Sequence, residues 1–126
     1  MDLRSTDAIR RRLTTLMAAA GPREVCALLY GTADHDRLIL DQVVPVRNLY
    51  RSAGGFAFHA SVLEARDTPP LALFHSHPRD LAPSRTDLAM FRRTPFKAQL
   101  IGALTGSAFR CAAFDPHGQE IPLSWH

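Results

Sequence analysis

Two histidines one residue apart, His75 and His77, end the apolar run that begins at Leu71, and Pro78 follows them directly. In a β-strand, residues two apart point to the same face, so both imidazoles project together at the strand end where the proline stops pairing. Imidazoles placed in this way can share one metal ion, and Leu73 and Leu71 on the same face are expected to form a dry floor behind them. Asp87 stands ten positions beyond His77 in Ser84-Arg85-Thr86-Asp87. The spacing predicts a helix capped by Ser84 or Thr86, and a short loop can swing its first turn back over the strand end. Asp87 would then supply a third, oxygen ligand. Three protein ligands leave tetrahedral zinc one open position, which is the catalytic pattern, whereas a structural site is closed by four. Ser84 and Asp87 lie three apart on one helical turn, so the serine hydroxyl can donate to a group bound at the metal.

Hydrolysis at such a centre needs a carboxylate that takes a proton from water and returns it to the leaving group. Glu24, Glu64 and Asp80 are the candidates. Spacing does not choose among them, although Glu24 opens an apolar strand, where a charge is costly unless it is used or paired. The remaining histidines read as surface or capping residues: His35 and His117 lie in turns, His59 at a helix start and His126 at the end of the sequence. Gly54-Gly55 reads as a loop hinge, because it lacks the spacing of either phosphate-binding pattern. Cys26 and Cys111 each sit in an apolar run and read as buried free thiols.

The elements that must position these groups follow from periodicity. Ile9, Leu13, Leu16, Met17 and Ala20 recur at helical spacing, with Arg10 to Arg12 facing away, a cap at Ser5, Thr6 or Asp7 and a stop at Gly21-Pro22. Glu24 to Tyr30 reads as a buried strand stopped by Gly31, and Arg37 to Val44 as its hairpin partner across the turn Thr32 to Asp36. Pro45 to Gly55 reads as an exposed loop, Phe56-Ala57-Phe58 as a strand, and Ala60 to Arg66 as a helix ending before Pro69-Pro70. Leu71 to His77 is the next strand, Ser84 to Arg93 a helix, and Gln99 to Leu104, Phe109 to Phe114 and Ile121 to Trp125 are further strands. The order is that of an α/β fold, a mixed sheet with helices inserted, in one domain over 1–126.

The 126 residues are 46% hydrophobic and 21% charged, as in an ordinary globular chain. A domain of this size buries roughly two thirds of its unfolded surface, enough to fold without a structural metal. The net charge of +3 is carried mostly by arginine. No basic-aromatic interleaving accompanies it, so nucleic acid is not an expected partner. With no apolar signal region and no run of ~18 apolar residues, a cytoplasmic location and no membrane partner are expected.

His75-x-His77-Pro78 followed by Ser84-x-x-Asp87, with the upstream strand Glu24-Val25-Cys26-Ala27-Leu28-Leu29-Tyr30-Gly31, resembles the JAMM (MPN+) zinc metalloprotease family, including its small prokaryotic members. The resemblance spans about residues 20 to 115. It implies a cytidine-deaminase-like JAMM/MPN α/β fold and one catalytic zinc on His75, His77 and Asp87. It also implies Glu24 as general base and Ser84 as a donor to the tetrahedral intermediate. The implied activity is hydrolysis of a peptide or isopeptide bond. The implied partner is a ubiquitin-like or sulfur-carrier protein of β-grasp fold, cut at a C-terminal Gly-Gly tail that could add as a strand along an exposed sheet edge. The five residues between Pro78 and Ser84 are fewer than is usual for the family, which bears on substrate contacts. The alternative is a non-catalytic MPN scaffold, a class that lacks these ligands. A zinc deaminase is set aside, because Cys26 and Cys111 cannot form its Pro-Cys-x-x-Cys element.

Overall fold

A computed structural model describes residues 1–49 and 57–126. The first strand, β1 (Asp2–Ser5), leads into helix α1 (Asp7–Ala20). Thr6 caps that helix by accepting from the Ile9 amide at 3.1 Å, and Gly21 follows it at φ 63°, a left-handed conformation that glycine adopts without steric cost. Strands β2 (Cys26–Asp34) and β3 (Arg37–Val46) form an antiparallel hairpin. A short 3-10 helix (Ala60–Glu64) precedes β4 (Ala72–Ser76), helix α2 (Arg85–Arg92), β5 (Ala98–Thr105), β6 (Ala108–Phe114), β7 (Glu120–Ile121) and β8 (Leu123–Trp125).

Among the described residues the strands form one eight-stranded mixed sheet in the order β7-β6-β5-β4-β2-β3-β1-β8. Strands β4 and β5 are parallel and α2 lies in their crossover, while β1 runs parallel to both β3 and β8. Only Pro122 separates β7 from β8, yet they occupy opposite ends of the strand order. Residues two apart are held within about 7 Å by chain geometry. The sheet therefore curls until its two outer strands meet at Pro122, whose carbonyl accepts from the Leu3 amide at 2.8 Å.

Alternation along each strand sorts the core into two faces. Ala27 and Leu29, Ala72 and Phe74, Ala98 and Leu100 pack with Ile9, Leu13 and Met17 of α1 on the inner face. Cys26, Leu28, Tyr30 and Leu73 pack with Phe91 of α2 and Phe96 on the other. With both faces covered, the central strands read as unbroken apolar runs, as buried strands should.

Several sequence expectations change. β1 was not anticipated; it is short and half polar, and it is ordered by pairing with β3 and β8 and by Ser5 Oγ donating to the Leu40 carbonyl. Gly31 does not stop β2. It marks an irregularity in register between Tyr30 and Gly31, after which pairing continues to Asp34, so the turn contracts to His35 and Asp36. The helix expected at Ala60 is a single 3-10 segment, and Ala57 and Phe58 are not in a strand. Pro122 splits the last strand in two, since it cannot donate to a ladder. Phe56, the Gly54-Gly55 hinge and the rest of 50–56 lie outside the described residues.

Candidate metal centre

The site forms at the end of β4, on the face that carries α2. His75 is its fourth residue and is fully buried; His77 lies just beyond the strand and is half-buried. The two rings stand edge to face, with centroids 4.9 Å apart. Leu73 forms the floor behind them as expected, whereas Leu71 packs with the inner cluster instead, because β4 begins only at Ala72.

Glu24 reaches the same point from the residues leading into β2. Cys26 pairs with His75 across the sheet, and the Val25 amide donates to Ser76 Oγ at 2.7 Å while its carbonyl accepts from the Ser76 amide at 3.0 Å. Asn48 secures the other side: its Nδ2 donates to the Glu24 carbonyl at 2.8 Å, and its Oδ1 accepts from the Ala57 amide at 3.0 Å. Glu24 is only 8% exposed, and its Oε1 lies 3.9 Å from His75 Nδ1.

Asp87 enters on the first turn of α2. Its Oδ2 accepts from His77 Nε2 at 3.0 Å and from the Ser84 amide at 2.9 Å, and it lies 3.9 Å from His75 Nε2. Burial alone would raise the Asp87 carboxyl. The hydrogen bond with His77, the charge of His75 and the Ser84 amide outweigh burial and hold the group down at about 2. The hydrogen bond to Asp87 conversely raises His77 above its usual value; burial opposes this, and the charges of Asp87, Glu24 and Asp80 reinforce it.

Ser84 has a local task as well. Its Oγ accepts from the Asp87 amide at 3.0 Å, and with the reciprocal Asp87 contact this makes a capping box. The Ser84-x-x-Asp87 spacing is thus one that the helix start itself requires. The Ser84 side chain is exposed at the rim.

The chain therefore gathers Glu24, His75, His77 and Asp87, from three separated stretches, at one point. Ligand atoms of Glu24, His75 and His77 lie within 4.8 Å of one another, a group able to hold a metal ion. Two ligands on a tetrahedral zinc with bonds of ~2.0–2.1 Å sit about 3.3 Å apart. The spacings of Asp87 Oδ2 to the two imidazoles bracket that value. The donors are nitrogen and carboxylate oxygen, the set that zinc accepts in catalytic sites. Asp80 is at the edge, exposed and 3.7 Å from His77 Nδ1, and Glu64 is exposed on the 3-10 helix. A cavity of about 440 Å³ opens beside Glu24 and His77, with Met17, Pro22, Pro78 and Leu104 in its wall.

Sequence reasoning missed three residues here. Ser76 and Asn48 fix the chain on either side of Glu24, and Gln99 lies fully buried with its Oε1 3.2 Å from His75 Nε2. A signal for Gln99 existed: it is the one polar side chain of β5 before Thr105 at its end. Among the described residues β4 has β2 and β5 as neighbours, and the outer strands are β7 and β8. Cys26 and Cys111 are both free, and burial pushes the Cys26 thiol up to about 11, with the Glu24 charge adding to it. No helix among the described residues is long and apolar enough to cross a membrane.

Comparison with known proteins agrees with this fold. A protein of Desulfitobacterium hafniense solved in solution is similar over 98% of this chain and 92% of its own, with 27% identity and a TM-score of 0.76. A JAB1/MPN domain protein from Archaeoglobus fulgidus shares 21% identity over 99% of this chain and 98% of its own, with a TM-score of 0.67. A structure described as a JAMM metalloprotease-like zinc site in the proteasome and signalosome shares 20% identity over 100% and 99%, with a TM-score of 0.62. At these identities the last two establish the fold. No curated protein matches the chain. The model of the prokaryotic homologs of the JAB domain matches residues 6–116, and the chain belongs to that family.

Proposed function

We propose that the protein is a zinc metallopeptidase in which His75, His77 and Asp87 hold the metal, Glu24 is the general base and Ser84 donates to the developing oxyanion. The carrying observation is the convergence of two imidazoles and two buried carboxylates at one strand end, with Asp87 already in contact with His77 and anchored by the Ser84 amide. Buried carboxylates are costly unless paired or coordinating. A zinc ion supplies a Lewis acid that polarises a carbonyl and makes water usable as a nucleophile near neutral pH. Around it, Glu24 Oε1 takes the proton of the attacking water and passes it to the leaving amine. Asp87 is the preferred ligand because its Oδ2 is fixed by two hydrogen bonds, which leaves Glu24, facing His75 from the other side, free to move a proton.

A second reading has Glu24, His75 and His77 as the ligands, and the grouping of their donor atoms favours it. Zinc content of two variants separates the readings. Glu24→Gln should retain zinc and lose about 10²–10⁴-fold in kcat, while Asp87→Asn should lose zinc. The reverse pattern of zinc retention supports the second reading. A wild type that binds no zinc and shows no turnover supports the non-catalytic scaffold alternative.

The proposed substrate is a flexible C-terminal segment ending in small residues, such as the Gly-Gly tail of a ubiquitin-like or sulfur-carrier protein. Arg47 and Arg79 are exposed on the loops flanking the site, and positive charge suits a tail with a carboxylate or an acidic carrier. Because β4 is interior to the sheet, such a tail would approach across the strand ends beside the cavity. Equal cleavage of a short unstructured peptide and of a Gly-Gly-tailed β-grasp conjugate would exclude the carrier.

A further inference from the structure

The cavity of about 440 Å³ beside Glu24 and His77 has no task of its own in the reading above. Its wall is uneven in chemistry. Glu24, Ser76 and His77 stand at one end. Much of the rest is carbon, from Met17 and Ala18 on the last turn of α1, Pro22 after it, Pro78 after β4 and Leu104 near the end of β5. Arg23 also borders the cavity, with its guanidinium donating to the Asn48 carbonyl at 2.9 Å. Ligand sites pair an apolar hollow with a few polar groups in this way, and their volumes run from roughly 300 to 1,000 Å³. Water held against such a wall is released to advantage when an apolar side chain replaces it.

We infer that this cavity is the specificity pocket for the leaving group: it receives a large apolar side chain, of the leucine or methionine class, on the residue that follows the scissile bond. This rests on the peptidase reading. There Glu24 passes a proton to the leaving amine, so the scissile nitrogen must come within hydrogen-bond reach of its carboxylate. The side chain of the residue that owns this nitrogen begins two bonds further on, and the cavity begins at Glu24. The acyl side of the bond lies elsewhere. Its oxygen is turned to Ser84 at the start of α2, a helix packed on the opposite sheet face from α1. The small residues of the tail and the apolar residue beyond them therefore use different surfaces. Glycine in the second place leaves the pocket wet, and an acidic side chain would give up its hydration to stand beside the Glu24 carboxylate.

The test is a substrate series with leucine, glycine or aspartate directly after Gly-Gly. It is run both as short extensions of a Gly-Gly-tailed β-grasp carrier and as free peptides, so that the preference is read in whichever format is cut. Leucine should exceed glycine about 10–100-fold in kcat/KM, from the burial of one apolar side chain, and aspartate should fall to or below the glycine level. Ala18 is exposed on α1, so Ala18→Phe adds bulk at the cavity without entering the core. It should bring the leucine-to-glycine ratio down towards one at unchanged zinc content. Equal rates for leucine and glycine in the wild type, a preference for aspartate, or a ratio that Ala18→Phe leaves intact overturns the inference and leaves the peptidase reading standing. A zinc-loaded wild type that cuts none of these substrates refutes the peptidase reading and the pocket with it.

Discussion

Ser84 offers a separable test, because the helix cap and the proposed chemistry use the same hydroxyl. In the cap, Ser84 Oγ accepts from the Asp87 amide, while the second arm of the box uses the backbone amide of Ser84 and survives any side-chain change. Ser84→Ala thus removes one arm only. The orphaned amide is that of Asp87, and loss of such an N-cap contact costs about 1 kcal/mol. With an unfolding entropy of ~2.1 cal/mol/K per residue, a chain of this length loses roughly 4 °C in Tm for that amount. Ser84→Gly costs the cap only a few tenths of a kcal/mol, or about 1 °C. Both substitutions delete the donor. If Ser84 stabilises the oxyanion, both should lower kcat by about 10²–10³, since one such donor is worth ~2.7–4 kcal/mol. Melting curves and steady-state kinetics on a Gly-Gly-tailed β-grasp conjugate read the two effects independently. An activity that tracks stability, with the glycine variant close to wild type, would show that Ser84 is a cap and nothing more.

Chelation should abolish turnover and leave a cooperative unfolding transition, because the α1-side core is built from Leu13, Leu29, Leu40, Phe74 and Leu100 and includes no site residue; loss of the transition would make the metal structural. Gly31→Ala should destabilise the fold by more than ~1–3 kcal/mol in urea unfolding, since an added Cβ would lie 1.8 Å from the Ile39 carbonyl oxygen, a backbone atom that cannot turn aside; an unchanged midpoint would refute that clash. Cys26 should resist iodoacetamide at pH 8 until the protein is denatured, because with its thiol near 11 only about one in a thousand is ionised and its side chain is buried; rapid labelling of native protein would contradict the packing.

Local periodicity made much of this molecule legible. The period of two placed His75 and His77 on one face, and the period of 3.6 placed Ile9, Leu13 and Met17 on the inner stripe of α1. What escaped was set by partners distant in sequence. Asp2–Ser5 has no strong strand pattern and becomes a strand through β3 and β8. Gly31 looks like a terminator because glycine usually ends runs, yet here the close approach of the Ile39 carbonyl requires it inside the hairpin. Asn48 reads as one more loop residue until its amide is seen holding the Glu24 carbonyl. The closure of the sheet at Pro122 is likewise invisible in a run that reads as a single strand.

The same closure bears on how the site can work. Its ends joined around α1, the sheet is a rigid frame, and the groups of the centre sit outside it on strand ends and a capped helix start. His75 and Glu24 are tied through the β2–β4 ladder, whereas Asp87 arrives on α2 after a loop of few residues. The adjustable member of the set is therefore Asp87. Its position depends on the cap that Ser84 makes and on the contact with His77. A helix start that must be capped by Ser84 in order to present Asp87 couples α2 formation to completion of the ligand set. Substitutions that loosen this turn should then be read first in metal affinity, and only afterwards in turnover, whereas changes at Glu24 should be read in turnover alone.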